Sequence, residues 1–309
     1  MLVKPENKIY HQCMKRIISL CALVLFVVGL STCASSPERD SQPRSSVWMI
    51  SRDGNTLFLG GSVHVLRETD YPLTEEFDRA FSLSTLLVLE ADIEQLENES
   101  IMQYLMMQMR LPGNQTLRST LDPDVYELLK AKYDEYGLQI DGVARLKPSM
   151  AVSILDVIQI QQLGFVQQGV DMHYLEKAKS EGKALDYLET VEAQIRLIVT
   201  MGDGYENDFV LYSLQELEST ETGIDELVAE WKEGGSAVVE ASLMEMRERW
   251  PELYRTMVAD RNAAWLPQIE GFLSSGQVSF VLVGLAHLHG PDGLLRQLER
   301  LGYTVGPLQ

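Results

Sequence analysis

Cysteine is scarce in this chain, and none of it lies where a fold could use it. The three cysteines, Cys13, Cys21 and Cys33, all fall in the first 33 residues. The rest of the chain can therefore form neither a disulfide nor a cysteine-based zinc site. Positive charge is also short, with 26 Lys and Arg against 45 Asp and Glu, a net charge of −19. So acidic a chain repels nucleic acid and anionic lipid headgroups, which disfavours groove binding and electrostatic membrane docking. No apolar run reaches the roughly 20 residues a membrane helix needs. Several motifs are missing as well: P-loop, Gly-x-Gly-x-x-Gly, His-Glu-x-x-His and EF-hand loop. Ser62 lies in Gly60-Gly61-Ser62-Val63-His64 and lacks the closing glycine of a nucleophile elbow.

The longest apolar stretch, Ile17 to Leu30, follows Lys15 and Arg16 and ends at Leu30-Ser31-Thr32-Cys33. A basic start, a short apolar run and small residues before a cysteine read as a secretory signal with a bacterial lipobox, making Cys33 the lipidation site. Ordinary cleavage that leaves Cys33 free is the alternative. Met14-Lys15-Arg16 makes a cleaner start than Met1. The first 33 residues carry four basic and one acidic side chain, so their removal takes the net charge from −19 to −22. Residues 34–46, rich in Ser, Pro and Arg, read as a flexible tether. These features predict an exported protein on the periplasmic face of the envelope. Its membrane attachment would come through lipid, and Ala34 and Ser35 after the cysteine favour the outer membrane over the inner.

Residues 47–309 are long enough for one sizeable core. Val47–Ser51 and Thr56–Gly60 flank Arg52-Asp53-Gly54-Asn55, a hairpin pattern. A helix is expected over Glu75–Phe81, and a buried strand over Leu86–Leu89 ending in Glu90. Residues 93–250 read as a mostly helical insertion. Within it are a helix start at Asp122-Pro123, a helix over Asp171–Lys179 stopped at Gly182, and a strand over Ala184–Leu188 ending in Glu189. Gly290-Pro291-Asp292-Gly293 opens a last helix to about Arg300, with Gly302 as cap and Tyr303-Thr304-Val305 as a closing edge strand. The pattern predicts an α/β fold, a central, mostly parallel sheet with flanking helices.

Of the five histidines, two share one setting. An apolar run followed by Gly-x-x-His occurs at Leu57–His64 (Gly61, His64) and again at Phe280–His287 (Gly284, His287). A strand that stops at a glycine and presents a histidine places a reactive group at the carboxyl edge of a sheet. Imidazole is both the commonest metal ligand and a base near neutral pH. Glu90 and Glu189, each ending a strand, are candidate partners, and Arg261 could bind a carboxylate or stabilise an oxyanion. His289 precedes Gly290-Pro291, which argues for a turn rather than a ligand. His173 reads as solvated or structural. Met102, Met106, Met107 and Met109 wrap most of a helix, as core methionines do.

At these residues the sequence resembles the TraB/GumN family. The resemblance runs through Gly61-Ser62-Val63-His64, Leu87-Val88-Leu89-Glu90, Gly169-Val170-Asp171, Leu188-Glu189-Thr190, Asp260-Arg261-Asn262 and Val283-Gly284-Leu285-Ala286-His287. This family is similar to the Tiki proteins, metal-dependent proteases with paired Gly-x-x-His motifs. It is more distantly similar to erythromycin esterases and ChaN-like haem-binding lipoproteins. The resemblance implies a site of His64, Glu90, Arg261 and His287, with His64, Glu90 and His287 on a divalent metal (Mn²⁺, Co²⁺ or Zn²⁺). Glu189, Asp171 and Asn262 are secondary candidates, and the substrate would be a peptide or small molecule. Three functions stay open: a metal-dependent envelope hydrolase, a metal-independent esterase-like hydrolase with a histidine base, and a non-enzymatic protein binding haem or assisting polysaccharide export.

Overall fold

The structure, a computed structural model, describes residues 45–165 and 169–309. The signal segment, Cys33 and most of the tether lie outside the described residues. Among those described, no helix is long and apolar enough to cross a membrane.

Six strands form one sheet: β1 (Val47–Arg52), β2 (Asn55–Ser62), β3 (Leu86–Leu89), β4 (Ala184–Tyr187), β5 (Ser279–Gly284) and β6 (Thr304–Pro307). Their spatial order is β4-β3-β5-β2-β1-β6. The β4–β3, β3–β5 and β5–β2 pairs are parallel, and β1 runs antiparallel to both β2 and β6. The expected α/β fold with a mostly parallel sheet is what forms. The hairpin between β1 and β2 turns at Asp53 and Gly54, whose φ values of 53° and 83° are the left-handed pair of a type I′ turn. β3 and β5 read VLVL-like because they are buried on both faces; all four residues of β3 and all six of β5 are buried.

Two compact units divide the chain. The sheet unit takes the described part of 26–91 with Phe165–Glu189 and Thr220–Gln309. Its core gathers Ile50, Leu57, Leu59, Val88, Val281 and Val283 from the strands with Trp265, Ile269 and Leu273 from the Asp260–Ser274 helix. The Val170–Glu181 helix ends at Gly182, which adopts φ 69°, the left-handed cap expected there.

The other unit, Asp92–Gly164 with Thr190–Ser219, is helical. In it the Glu99–Gln108 and Pro148–Gln162 helices pack on the Val191–Val199 helix. Tyr133 donates its hydroxyl to Ala151 O at 2.7 Å, and Ser149 donates to Val199 O at 3.1 Å. Met102 and Met109 are buried in this unit, but Met106 is only partly buried and Met107, expected in the core with them, is exposed on the far side of the helix.

Candidate active site

Four adjacent parallel strands end on the same side of the sheet, and each delivers one polar residue there. Along β4, β3, β5 and β2 these are Glu189, Glu90, His287 and His64. Glu189 follows β4 by two residues, and its N–H donates to Glu90 O at 2.8 Å, extending the β3–β4 ladder to the site. The Asp260–Ser274 helix adds Arg261 and Asn262, and the Val170–Glu181 helix adds Asp171. All seven residues belong to the sheet unit.

The two Gly-x-x-His motifs are offset by one residue in register. Ser62 pairs with Gly284, and Gly61 with Val283. After Gly284 the chain turns straight into the Leu285–Leu288 helical turn, which buries His287. A Cβ on Gly61 would meet Leu285 Cδ1 at 2.6 Å, so this glycine lets that turn pack down on β2. A Cβ on Gly284 would instead come 3.3 Å from Glu90 Oε1, 3.4 Å from His64 Nε2 and 3.6 Å from His287 Cδ2. Gly284 is the floor of a small space bordered by both imidazoles and Glu90.

His64 is oriented from behind. Its Nδ1–H donates to Asp171 Oδ1 at 3.1 Å, and Ser62 Oγ donates to the same oxygen at 3.3 Å. The helix bearing Asp171 can approach because residue 169 is glycine; a Cβ there would sit 2.4 Å from His64 Cα. Val170 N–H also donates to Val63 O at 3.0 Å. Burial is the largest influence on the His64 ring and pulls its pKa down. The carboxylate of Asp171, by charge and hydrogen bond, and that of Glu90 outweigh it and raise the pKa to about 8. With Nδ1–H held by Asp171, Nε2 faces the space over Gly284.

His287 is held differently. Asn262 Nδ2 donates to His287 O at 3.0 Å and to Asp292 O at 2.8 Å, so its Oδ1 is left to accept from His287 Nδ1–H at 2.7 Å. On the other side of the ring, Arg261 Nη1 donates to Nε2 at 2.9 Å. Burial first, then the Arg261 charge, lower the His287 pKa to about 3. The ring is neutral and both of its nitrogens are engaged.

Arg261 spends all five of its N–H groups on the protein. Nε and Nη2 clasp Glu189 at 3.2 and 2.8 Å, and Nη2 also pairs with Glu90 Oε2 at 2.5 Å. Nη1 serves His287 and Met257 O. Glu90 in turn accepts the Gly284 N–H on Oε1 at 2.7 Å. Burial acts most strongly on this carboxyl and would raise its pKa, but Arg261, His287, His64 and the Gly284 N–H hold it down at about 2. Glu90 is therefore a fixed anion and a poor base. Arg261 has no hydrogen left for an oxyanion; it is a buried clamp between two carboxylates.

Consecutive residues 261 and 262 both reach this site, from the first turn of a helix that follows a wide turn. Residues Arg255–Ala259 are π-helical, with Asp260 N–H bonding Arg255 O five residues back. Such insertions re-aim side chains and recur at functional sites. No sequence pattern announced it. Of the other histidines, His289 packs edge-on against Trp48 and lies 3.7 Å from Glu240, and His173 packs against Tyr71 and Tyr174. Neither joins the cluster.

Whether this set suits a divalent cation depends on its lone pairs. His64 Nε2 and Glu90 Oε1 border the same space, and His64 is braced through Nδ1 by a carboxylate, as metal-bound histidines are. His287 Nε2 lies 4.0 Å from Glu90 Oε1, but Arg261 occupies its lone pair. Two donors are presented and the third is engaged. Among the described residues no group of three or more His, Cys, Asp or Glu is arranged to hold a metal.

The fold and site define an α/β protein with a buried His–Glu–Arg cluster at the carboxyl edge of its sheet. The chain belongs to the TraB/PrgY/gumN family, whose profile matches residues 46–307. Among curated proteins it is similar to the uncharacterized protein YbaP of Escherichia coli K12, 23% identical over 260 residues that cover 81% of this chain and 90% of that protein. It is also similar to YbaP of Shigella flexneri, 22% identical over 248 residues covering 78% and 86%. No solved structure matches.

Proposed function

We propose that the chain is a hydrolase of acyl bonds, in peptides or esters, that uses His64 as its acid–base group. The observation that carries this is the space over Gly284, which His64 Nε2 and Glu90 Oε1 both border. A water seated there can donate one hydrogen to each. His64, neutral and held by Asp171, takes the proton as the water attacks the acyl carbon, then passes it to the leaving group. Glu90, fixed as an anion, positions the water and strengthens His64 as a base.

A second reading is a metal-assisted hydrolase, and one observation favours it. Asp171 and Glu90, the carboxylates that raise the proton affinity of His64, also attract a cation. Mn²⁺, Co²⁺ or Zn²⁺ would be held by His64 Nε2 and Glu90 Oε1, with His287 joining if Arg261 Nη1 turned away. The ion would supply a more acidic bound water. Attachment to the periplasmic face of the envelope through a lipid on Cys33 is part of the proposal and rests on residues 15–35.

The test is hydrolysis of peptide and ester libraries by purified protein, with and without a chelator. Cleavage that survives chelation and vanishes in His64→Gln supports the first reading. Cleavage lost to chelator and restored by one metal supports the second. Cleavage unchanged in His64→Gln, or no cleavage of any library member by metal-supplemented protein, overturns both.

A further inference from the structure

The two Gly-x-x-His motifs look interchangeable in the sequence, yet the groups around their rings are of opposite kinds. His64 meets a carboxylate on Nδ1, and its Nε2 borders the small space over Gly284. His287 meets an amide oxygen on Nδ1 and a guanidinium on Nε2. Resting on the hydrolase reading, we propose that the two histidines do different jobs. His64 alone exchanges protons with the substrate, while His287 is a positioning residue, locked by Asn262 so that its Nε2 lone pair holds Arg261 against Glu90.

The polarity of this chain is fixed from both ends, by the Asn262 amide at one and by the Arg261 guanidinium, which can only donate, at the other. Two backbone carbonyls, of His287 and Asp292, take both hydrogens of the Asn262 amide. Oδ1 must then face His287, and it can only accept, so the ring carries its hydrogen on Nδ1. Nε2 is left as an acceptor, and Arg261 Nη1 fills it. Arg261 Nη2 is thereby turned to Glu90 Oε2, which leaves Glu90 Oε1 with the Gly284 N–H at the edge of the open space. A flipped amide at residue 262 would set its oxygen against two carbonyls. Asn262 is fully buried, so no water can take over the missing bonds.

This makes Asn262 a residue that acts through three others, His287, Arg261 and Glu90, four steps from the water. It also predicts an unusual tolerance. A proton-transferring histidine has no substitute among the amides, whereas an acceptor at the Nε2 position can be mimicked by glutamine, whose Oε1 reaches the same place.

Two measurements on the purified full-length protein test the proposal. With ring-¹⁵N-histidine, only five residues contribute signals, which His→Gln variants assign. At neutral pH, His287 should show the neutral Nδ1–H tautomer. Asn262→Leu should keep that tautomer, because Arg261 Nη1 can only donate to Nε2, but should move the Nδ1 signal, which loses its acceptor, and Asn262→Asp should restore it; an Nδ1 signal unchanged in Asn262→Leu overturns the role of Asn262. In turnover, His287→Gln should stay within about tenfold of wild type, while His64→Gln should lose at least about 10²-fold, the usual worth of a positioned acid–base group. A charged or Nε2–H His287 in the wild type overturns the proposal, as does a folded His287→Gln as inactive as His64→Gln. If the wild type cleaves nothing, the hydrolase reading fails, and the ring signals still decide the role of Asn262.

Discussion

Arg261 Nη1 donates to His287 Nε2 at 2.9 Å, and this one bond closes the only lone pair of the second motif histidine. His64 Nε2 and Glu90 Oε1, by contrast, both border the space over Gly284. Reactivity therefore concentrates on the side of the site floored by Gly284.

The pH dependence of turnover should report His64. As a base it must be neutral, and Asp171 with Glu90 raises its pKa to about 8. Thus kcat/KM should rise with pH through a single ionisation near 8, while Glu90 at about 2 and His287 at about 3 contribute no limb near neutrality. In Asp171→Asn, burial is no longer outweighed by that charge, and the limb should move to lower pH. The rate should also fall, by about 10²- to 10⁴-fold, because the ring loses its orienting carboxylate. A limb that stays near 8 in Asp171→Asn contradicts the assignment.

Gly284→Ala separates folding from function. Gly284 has φ −53° and ψ 138°, which alanine adopts without strain. Its methyl would stand 3.3 Å from Glu90 Oε1 and 3.4 Å from His64 Nε2, in the space assigned to the water. Thermal unfolding should shift by no more than a few degrees, and activity should drop at least about 10²-fold. Gly61→Ala should do the reverse, destabilising the fold because its methyl collides with Leu285 at 2.6 Å.

Much of this architecture is legible in the sequence, and the reason is local. The Asp53-Gly54 turn, the buried runs at Leu86–Leu89 and Phe280–Val283, and the cap at Gly182 depend on residues a few positions apart. The strand ends at Glu90 and Glu189 could be read for the same reason, and the parallel sheet then brings them together. The Asp171–His64 bond could not be read that way. It spans 107 positions, and its only trace is the glycine at 169 that lets the helix settle on the His64 backbone. The π-helical turn over Arg255–Ala259, just before the helix that carries Arg261 and Asn262, left no pattern at all. The inequality of the two histidines was equally hidden. Identical motif letters say nothing of what meets Nε2.

Acid should destabilise the protein through His287 and Glu90. A histidine whose folded pKa is lowered binds protons more readily when unfolded. Its share of stability is thus present above about 6.5 and lost as pH falls toward 3. Glu90 adds a loss that begins near its ordinary 4.5 and runs down toward 2. His64 has the opposite sign: its contribution is complete below 6.5 and lost as pH rises through about 8. Urea unfolding from pH 7 to 4 should show a falling stability that flattens in His287→Gln.

Removing the clamp should cost more than removing its outer partner. Arg261→Met leaves Glu90 and Glu189 buried without their cation, which costs roughly 3–5 kcal/mol. Glu189→Gln keeps an acceptor for Arg261 Nε and leaves the Glu90 pair intact, and should cost clearly less. Denaturant midpoints measured side by side check the order, and equal losses would mean Arg261 is not the shared cation.

The most direct test of the central claim is a ring-¹⁵N titration of His64 and His287 in the wild-type protein, free of added metal. His64 should titrate near pH 8 while His287 stays neutral, with its hydrogen on Nδ1, down to the onset of acid unfolding. Two rings that titrate together near 6.5, or a His64 that loses its proton well below 6.5, would contradict it.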